Sequence, residues 1–394
     1  MGLKRYTSYY IYIKKLLAIF MIICISLFAA CSSGRQGNMP ASLQDTQASV
    51  EMQEDTSPAL PDTREITDMA GRKVIIPSKV NKVYSSSAIG TVTMYTLAPE
   101  KLAGWNFALV PGEKKYIDER YHDIPALGAW SGKKGAANVE EIIRLKPDFI
   151  LSMGTVDDTQ VSAANEIQAQ TGIPVVMLDG PLTGMDKAYE LLGEYIGERE
   201  RARELGSYCK QTITDIKAII DKIPENKRKR VYYAEGPKGL QTDPSGSFHT
   251  EVLDFVGGIN VADIPAQKGT GMSNVSMEQV LSWNPDIILV SLDKEGDLSQ
   301  DGFYSKVFKD PSWEQIKAVK DKRIYEIPAY PFNWFDRPPS VSRILGVKWL
   351  ASLIYPEYVP LDIEKEVKGF YSLFYNKDLS DSEVGELLQK ARAK

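Results

Sequence analysis

NVEEIIRLKPDFIL at positions 138–151 and SMEQVLSWNPDIIL at positions 276–289 are two copies of one phrase, and five of the fourteen aligned positions are identical. Each copy opens on a good N-cap residue, Asn138 or Ser276, with Glu or Gln three residues later, which predicts a helix that begins with a capping box. A proline near the end of each copy predicts the end of that helix, and the apolar run after it predicts a buried strand. The chain is therefore expected to contain two similarly built α/β lobes.

The helix in each copy is predicted to bury one face, because apolar residues recur at helical spacing. These residues are Val139, Ile142 and Ile143 in the first copy and Met277, Val280 and Leu281 in the second. Glu141 and Gln279 occupy the capping-box position in their copies. The residues just before them, Glu140 and Glu278, have no such task and are expected to point outward.

Strand-like and helical segments alternate over most of the chain, which predicts an α/β fold with mainly parallel sheets. A long, charged stretch with a helical apolar stripe separates two alternating regions. We therefore predict two three-layer lobes joined by one long α-helix, with a ligand cleft between the lobes. The predicted divisions are residues 65–182 for the N-terminal lobe, 183–224 for a helical segment with the inter-lobe helix, 225–360 for the C-terminal lobe and 361–394 for C-terminal helices.

The N-terminus has the layout of an export signal. A basic start leads into an apolar run of 15 residues, Leu16 to Ala30, which is followed by Cys31. This predicts a signal peptide over residues 1–30, because the run is shorter than the ~20 residues that span a bilayer. The residues before Cys31 resemble a bacterial lipobox, so we expect a lipidated Cys31 and a flexible polar tether over 31–64. The alternative is an uncleaved anchor helix.

The composition excludes several classes of partner and chemistry. Cleavage before Cys31 removes four basic residues and no acidic ones, so the formal charge moves from −5 to −9, which argues against nucleic acid as a partner. Besides Cys31 the mature chain holds one cysteine, Cys209, so no internal disulfide is expected. Neither a His-Glu-x-x-His nor a Gly-x-Ser-x-Gly motif occurs, which disfavours a zinc or serine hydrolase.

Four segments carry a family resemblance: ITDMAGR at 66–72, NVEEI and KPD within 138–148, TEVLDFVGGINV at 250–261 and NWFDR at 333–337. Together they resemble the class III, long-helix binding proteins of bacterial ABC importers, which bind iron-siderophores, haem or cobalamin. The NWFDR segment is similar to one in the cobalamin-binding members. The resemblance implies a ligand held between two lobes and delivered to a permease dimer with ATPase subunits. It implies neither an enzymatic activity nor a cofactor.

The resemblance also implies that one Glu in each lobe docks onto arginines of the permease. These two residues fall on Glu140 and Glu278 of the repeated phrase. The alternative is that each carboxylate only favours the positive end of its helix, an effect worth ~0.3–1 kcal/mol. A helix dipole does not require the same residue in both lobes, so docking is the favoured interpretation.

Ligand contacts are expected in loops at the carboxyl ends of strands, where α/β folds bind ligands. Trp105, Trp130, Trp334 and Phe335 are predicted to stack on a large organic ligand, and Arg337 to bind a carboxylate or oxyanion. The remaining candidates, all in the second lobe, are Tyr233, Ser247 and His249. The alternatives are core packing for the tryptophans and a local pair with Asp336 for Arg337. No direct metal ligand is assigned, because a lone His is more often structural.

The function expected from these features is capture of an iron complex, of siderophore or haem type, outside the membrane. The same role for molybdate, tungstate or cobalamin is the alternative, and a small oxyanion would need Arg337 and loop amides more than tryptophans. Two other classes remain, an extracellular lipoprotein hydrolase with paired carboxylates and an adhesion or scaffold lipoprotein.

The lipobox-like sequence generates the first prediction. Changing Cys31 to Ala removes the lipid site, so the protein should move from the membrane fraction to the medium or the soluble extracytoplasmic fraction. Cell fractionation followed by immunoblotting measures this. Full membrane retention of the variant with an intact tether would reject lipid anchoring and favour the uncleaved helix.

Overall fold

The structure is a computed structural model and describes residues 62–130, 135–265, 271–292 and 302–393. The predicted signal peptide, Cys31 and nearly all of the predicted tether lie outside these residues. Within the described ranges, no helix combines the length and the apolar character that crossing a membrane requires.

The described chain begins with an antiparallel hairpin of β1 (Thr63–Thr67) and β2 (Lys73–Pro77). Asp68 holds the turn, because one carboxylate oxygen accepts from the backbone N–H of Arg72 at 3.0 Å. Its other oxygen accepts from the N–H of Met177, also at 3.0 Å. The hairpin is thereby tied to the first lobe.

The first lobe contains a parallel sheet of three strands that pair in chain order, β3 (Val83–Ser85), β4 (Phe149–Gly154) and β5 (Val175–Asp179). Its helices are α1 (Ala88–Leu97), α2 (Pro111–Lys114), α3 (Val139–Leu145) and α4 (Asp158–Thr171). Every residue of β3 is buried, as expected of a parallel strand covered on both faces.

Two helices follow the first sheet, α5 (Met185–Ile196) and α6 (Arg199–Ile220). Gly197 ends α5 with a φ of +84°, a left-handed conformation that glycine adopts without steric cost. The second helix has 22 residues and is therefore about 33 Å long. It is the long helix that the sequence predicts between the lobes.

The second lobe contains a four-stranded parallel sheet. Its strands are β6 (Arg230–Ala234), β8 (Ile259–Asn260), β10 (Ile287–Val290) and β11 (Ile324–Glu326), and they lie in the order β11-β10-β6-β8. A short antiparallel pair, β7 (Gln241–Thr242) and β9 (Ser273–Asn274), lies beside the sheet. The helices are α7 (Glu251–Phe255), α8 (Met277–Trp283), α9 (Phe303–Val307) and α10 (Lys317–Lys320).

Three helices complete the chain, α11 (Ser342–Ile354), α12 (Ile363–Tyr375) and α13 (Asp381–Leu388). One hydrophobic cluster of buried side chains runs from the first lobe through α6 into the second lobe and these helices. It includes Phe149 in the first sheet, Leu205 on α6 and Leu289 in the second sheet. The ring centroids of Trp105 and Phe332, from the two lobes, lie 6.3 Å apart. The lobes therefore share a core against which one face of the long helix packs.

The repeated phrase forms the same structure in both lobes. Its aspartate binds the start of the neighbouring strand: Asp148 accepts from the N–H of Lys82 at 2.8 Å, and Asp286 from the N–H of Arg230 at 3.1 Å. The side chains of Lys82 and Arg230 also bind the carboxyl end of the repeated helix. Lys82 Nζ donates to the Leu145 carbonyl at 3.1 Å, and Arg230 Nη2 to the Trp283 carbonyl at 2.8 Å. The Pro-Asp pair thus joins helix, strand and sheet edge twice.

Two details of the phrase differ from prediction. A complete capping box forms at Ser276 but not at Asn138, because Glu141 pairs with Arg144 instead. The buried face is also narrower than its spacing indicates. Ile142 and Val280 are buried, whereas Ile143 is 42% and Leu281 38% exposed.

Candidate functional site

The carboxyl ends of the strands lie where the two lobes meet. Arg343 on α11 is fully buried and donates to the carbonyl of Gly180, just after β5, at 2.8 Å. It also pairs with Glu251, whose carboxylate accepts from the N–H of Leu182 at 3.2 Å. The second lobe is therefore anchored to the carboxyl end of the first sheet.

A cluster of ionisable side chains occupies the corresponding end of the second lobe, here called the lobe-two cluster. Glu235 follows β6 directly, Asp243 follows β7, and His249 lies just before α7. Asp336 and Arg337 come from the segment between β11 and α11. Five side chains far apart in sequence therefore converge at one site, as expected for the carboxyl edge of an α/β sheet.

Arg337 is the centre of the cluster. Its Nε donates to Glu235 Oε1 and its Nη2 to Asp243 Oδ2, both at 2.8 Å. The Nε atom also lies 3.2 Å from Asp336 Oδ2, so the local pair with Asp336, which was the alternative to ligand binding, is one of three contacts. About a quarter of the side chain is exposed, 26%. Burial acts to lower the pKa of Arg337, but the negative charge of Asp336 and the hydrogen bond to Glu235 outweigh it and raise the pKa.

His249 is fixed by Asp336. Its Nδ1 lies 2.7 Å from Asp336 Oδ1, and its side chain is 24% exposed. Burial acts to lower the pKa of His249, but the hydrogen bond to Asp336 and that residue's charge raise it above the ordinary value of 6.5. When the ring is protonated, Nε2 is a second N–H donor. Neither Nε2 of His249 nor Nη1 of Arg337 has a partner among the described residues.

Glu235 is completely buried. Burial is the largest effect on its carboxyl and, together with the charges of Asp243 and Asp336, raises its pKa from 4.5 to about 8 in spite of Arg337. The carboxyl therefore carries a proton at neutral pH. In that form Glu235 is a hydrogen-bond donor as well as an acceptor.

Several buried oxygens of this region lack a hydrogen-bond partner within the described part of the chain. They include Glu235 Oε2, Thr242 Oγ1, Ser273 Oγ and Asp336 Oδ2. Such groups are rare in folded proteins and usually mark a bound water, an ion or a ligand. Three of the four can donate a hydrogen, namely the two hydroxyls and protonated Glu235.

The backbone at Gly271 lies close to the side chains of the lobe-two cluster. Its φ is +60°, and a Cβ placed there would lie 2.8 Å from Cδ2 of His249 and 2.9 Å from Nη2 of Arg337. Both contacts are too short for a side chain, so glycine is required at this position. The His249 and Arg337 side chains are therefore held within a few ångströms of the Gly271 backbone.

Ligand atoms of Asp243, His249 and Asp336 all lie within 4.8 Å of one another, a spacing that suits a metal ion. Asp243, however, already accepts from Arg337, which also lies beside Asp336. A bound cation would sit against that fixed positive charge. The geometry consequently favours an anion at the exposed donors over a cation among the carboxylates.

Most of the aromatic residues that were predicted to contact the ligand are buried in this structure. Trp334 and Phe335 are 0% and 1% exposed. The Trp105 ring is also buried, and its Nε1 donates to the Tyr121 carbonyl at 2.7 Å. These three rings pack in the shared core, and their contact with a ligand stays a prediction. The Tyr233 ring is equally buried and packs 4.7 Å from Phe335, centroid to centroid.

Trp130 and Ser247, which were also predicted to contact the ligand, are not packed in the shared core. Trp130 is half-buried, with its ring 6.0 Å from that of Tyr84. The Ser247 hydroxyl accepts from the N–H of His249 at 3.2 Å and so positions that residue. Glu235 and Asp243 were not predicted as site residues. Each is a charged residue directly after a strand, and that position could have indicated a place in the site. Asp336 was considered only as a local partner of Arg337.

Comparisons with known proteins agree on one family. The profile of the family described as periplasmic binding protein matches residues 94–331. A solved ABC transporter solute binding protein from Sulfurospirillum deleyianum is 31% identical, with a TM-score of 0.76 over 83% of this chain and 99% of that chain. The molybdate-binding protein MolA of Haemophilus influenzae is 29% identical over 79% of this chain and 91% of its own length. The haem uptake protein IsdE of Staphylococcus aureus is 26% identical over 57% of this chain and 73% of its own length.

The raised pKa of Glu235 predicts a pH-dependent stability. The native carboxyl holds its proton up to about pH 8, whereas the unfolded chain releases it near the ordinary value of 4.5. The native state therefore binds more protons, and the free energy of unfolding should fall as pH rises from about 5 to about 8. His249 adds a fall of the same sign above pH 6.5, because its pKa is also raised.

Glu235→Gln keeps the shape and removes the ionisation, so its urea-unfolding free energy should depend less on pH over that range. Glu119→Gln, at an exposed position, is the matched control and should leave the wild-type slope unchanged. An unaltered slope in Glu235→Gln would contradict a protonated native carboxyl.

Proposed function

We propose that this chain, which belongs to the periplasmic binding protein family and is a substrate-binding protein of an ABC importer, captures a small tetrahedral oxyanion of the molybdate class. The ligand would bind at the lobe-two cluster, with Arg337 and His249 as its cationic contacts. The observation that carries this proposal is the arrangement of these two side chains. Each is fixed by buried carboxylates and each retains a nitrogen with no partner among the described residues.

The carboxylates of the cluster serve to orient the donors. Asp336 binds Nδ1 of His249, which directs the opposite ring nitrogen away from it. Glu235 and Asp243 occupy two nitrogens of the Arg337 fork and so fix the direction of the third. Donors that are fixed before binding lose little conformational entropy on binding. Charge-assisted N–H contacts of this kind suit an oxyanion.

The burial of the predicted aromatic residues supports a small ligand. A haem or an aromatic siderophore needs exposed ring faces, and Trp105, Trp334 and Phe335 are buried. The relative MolA, whose name describes it as molybdate-binding, aligns over most of both chains. Both observations favour an oxyanion over the iron complex expected from sequence.

An iron complex of haem or siderophore type is the second candidate. It is favoured by Trp130, which is half-buried beside Tyr84 and retains part of its ring surface. The relative IsdE, named for haem uptake, matches a smaller part of the chain. Such a ligand would bind mainly through the first lobe, with Arg337 as a contact for its negative charge.

Delivery to the importer completes the proposed role. Glu140 and Glu278 are both exposed and occupy the second position of their helices, α3 and α8. We propose that they dock the protein on the two halves of the permease. We also propose that lipidation at Cys31 holds the protein at the outer face of the cytoplasmic membrane.

The oxyanion proposal predicts which ligand stabilises the protein. Molybdate or tungstate should raise the melting temperature, because a ligand that binds only the native state stabilises it, whereas haem, cobalamin and ferric siderophores should not. Arg337→Gln should weaken molybdate binding by about ten- to a hundredfold, equivalent to about 1.5–3 kcal/mol for a charge-assisted contact. Isothermal titration calorimetry measures this.

Arg337→Lys keeps the charge but loses the planar fork, so it should give an affinity between those of the wild type and Arg337→Gln. An intermediate affinity would show that Arg337→Gln does not lose binding merely by failing to fold. Arg323→Gln, an exposed position in the same lobe, is the control and should bind as wild type. Affinity should weaken as pH rises through the raised pKa of His249 and on through about 8, where Glu235 becomes negative. Tighter binding of a divalent cation with rising pH, and no oxyanion binding, would overturn the proposal.

The docking proposal predicts a separable effect. Glu140→Arg combined with Glu278→Arg should abolish ligand uptake by cells but leave ligand affinity unchanged, because both residues are exposed and neither belongs to the lobe-two cluster. Glu119→Arg is the matched exposed control and should transport normally. Uptake at the wild-type rate by the double variant would refute docking through these residues.

A further inference from the structure

Five large hydrophobic side chains are exposed in the part of the chain that the structure describes. They are Ile75, Ile143, Ile259, Leu281 and Phe308. Single exposed hydrophobic residues are common on soluble proteins and need no explanation. Two of these five, however, occupy the same position in the two copies of the repeated phrase. Ile143 is 42% exposed and Leu281 38% exposed.

Each of these residues lies three positions after the exposed Glu of its helix. Residues three apart on a helix are neighbours on one face, with Cβ atoms about 5–6 Å apart. Glu140 and Ile143 therefore form one acidic–aliphatic knob on α3, and Glu278 and Leu281 form a second on α8. The two knobs stand on helices with the same N-cap hydrogen bond and the same Pro-Asp ending.

Neither aliphatic residue is needed to fill the core beneath its helix. That position is taken by Ile142 in the first lobe and Val280 in the second, both fully buried. An apolar side chain beside a carboxylate weakens water's access to it, and a charge pair formed there is stronger in the drier surroundings. The duplicated arrangement thus suits a partner that offers a cation next to an apolar recess, twice.

We propose that the permease-docking surface consists of both acidic–aliphatic knobs, with Ile143 and Leu281 inserting into two equivalent apolar recesses that each lie beside a basic residue of the permease. This rests on the proposed docking role of Glu140 and Glu278. Charge complementarity identifies the basic residue, and the repeat identifies the partner as one with two equivalent surfaces. The aliphatic pair supplies the salt-independent part of the binding and the glutamates the salt-dependent part.

The test measures binding of the full mature protein to its permease–ATPase complex, purified in lipid nanodiscs, by biolayer interferometry at low and high salt. Ile143→Ser with Leu281→Ser should weaken binding at least tenfold at both salt concentrations, since hot-spot residues each contribute this much. Glu140→Arg with Glu278→Arg should weaken it mainly at low salt. Ile75→Ser with Ile259→Ser, two exposed aliphatic residues without this relation, is the control and should bind as wild type.

The outcomes separate the inference from the docking role on which it rests. Weakening by the charge reversal but not by the serine pair overturns the inference and leaves docking intact. Weakening by neither pair overturns both. If the serine pair weakens binding to empty nanodiscs as much as binding to the permease, the knobs contact a lipid surface. If it removes self-association in sedimentation velocity but leaves permease binding intact, they contact a second copy of the chain. Either result overturns the inference. Melting temperatures within the wild-type range exclude a folding defect.

Discussion

The hydrophobic core that both lobes share is the constraint on which the rest of the structure depends. It runs from Phe149 through Leu205 on the long helix to Leu289. Interiors are close-packed and do not deform continuously, so the lobes have little freedom to close on a ligand as hinged domains do. A site between or beside them must therefore be formed before the ligand arrives. The ion pair of Arg343 with Glu251 and the hydrogen bond of Arg343 to the Gly180 carbonyl fix the lobes further at the strand ends.

The lobe-two cluster shows how a preformed site is built from groups that are costly to bury. Taking a carboxylate out of water is expensive unless it is paired, and here the cost is met in two ways. Asp243 and Asp336 are paired with Arg337 and His249, while Glu235 keeps its proton because burial raises its pKa to about 8. Several buried oxygens of this region have no hydrogen-bond partner among the described residues, and such groups usually bind a water, an ion or a ligand.

The sequence predicted the architecture well, because the repeated phrase carries its own helix, stop and strand signals. It did not predict which aromatic residues are accessible. Trp334 lies in a loop, where no periodicity indicates a face, and only the structure shows α11 packed against it, so closely that a Cβ on Gly346 would lie 1.7 Å from the Trp334 carbonyl oxygen. The partners of Arg337 were missed for another reason. Glu235 and Asp243 are 102 and 94 residues away, and contacts of that range leave no local signal.

The shared core has a further consequence for how the molecule unfolds. Lobes that are separate in topology usually melt separately, whereas side chains in one close-packed cluster lose their contacts together. The N-terminal and C-terminal lobes of this chain are two units of sheet topology that share one such cluster, so we expect them to unfold together. Free energy gained from a ligand at Arg337 would therefore be shared by those parts of the first lobe that belong to this cluster, without any change in shape. A ligand bound at the lobe-two cluster would then protect the first lobe from local unfolding.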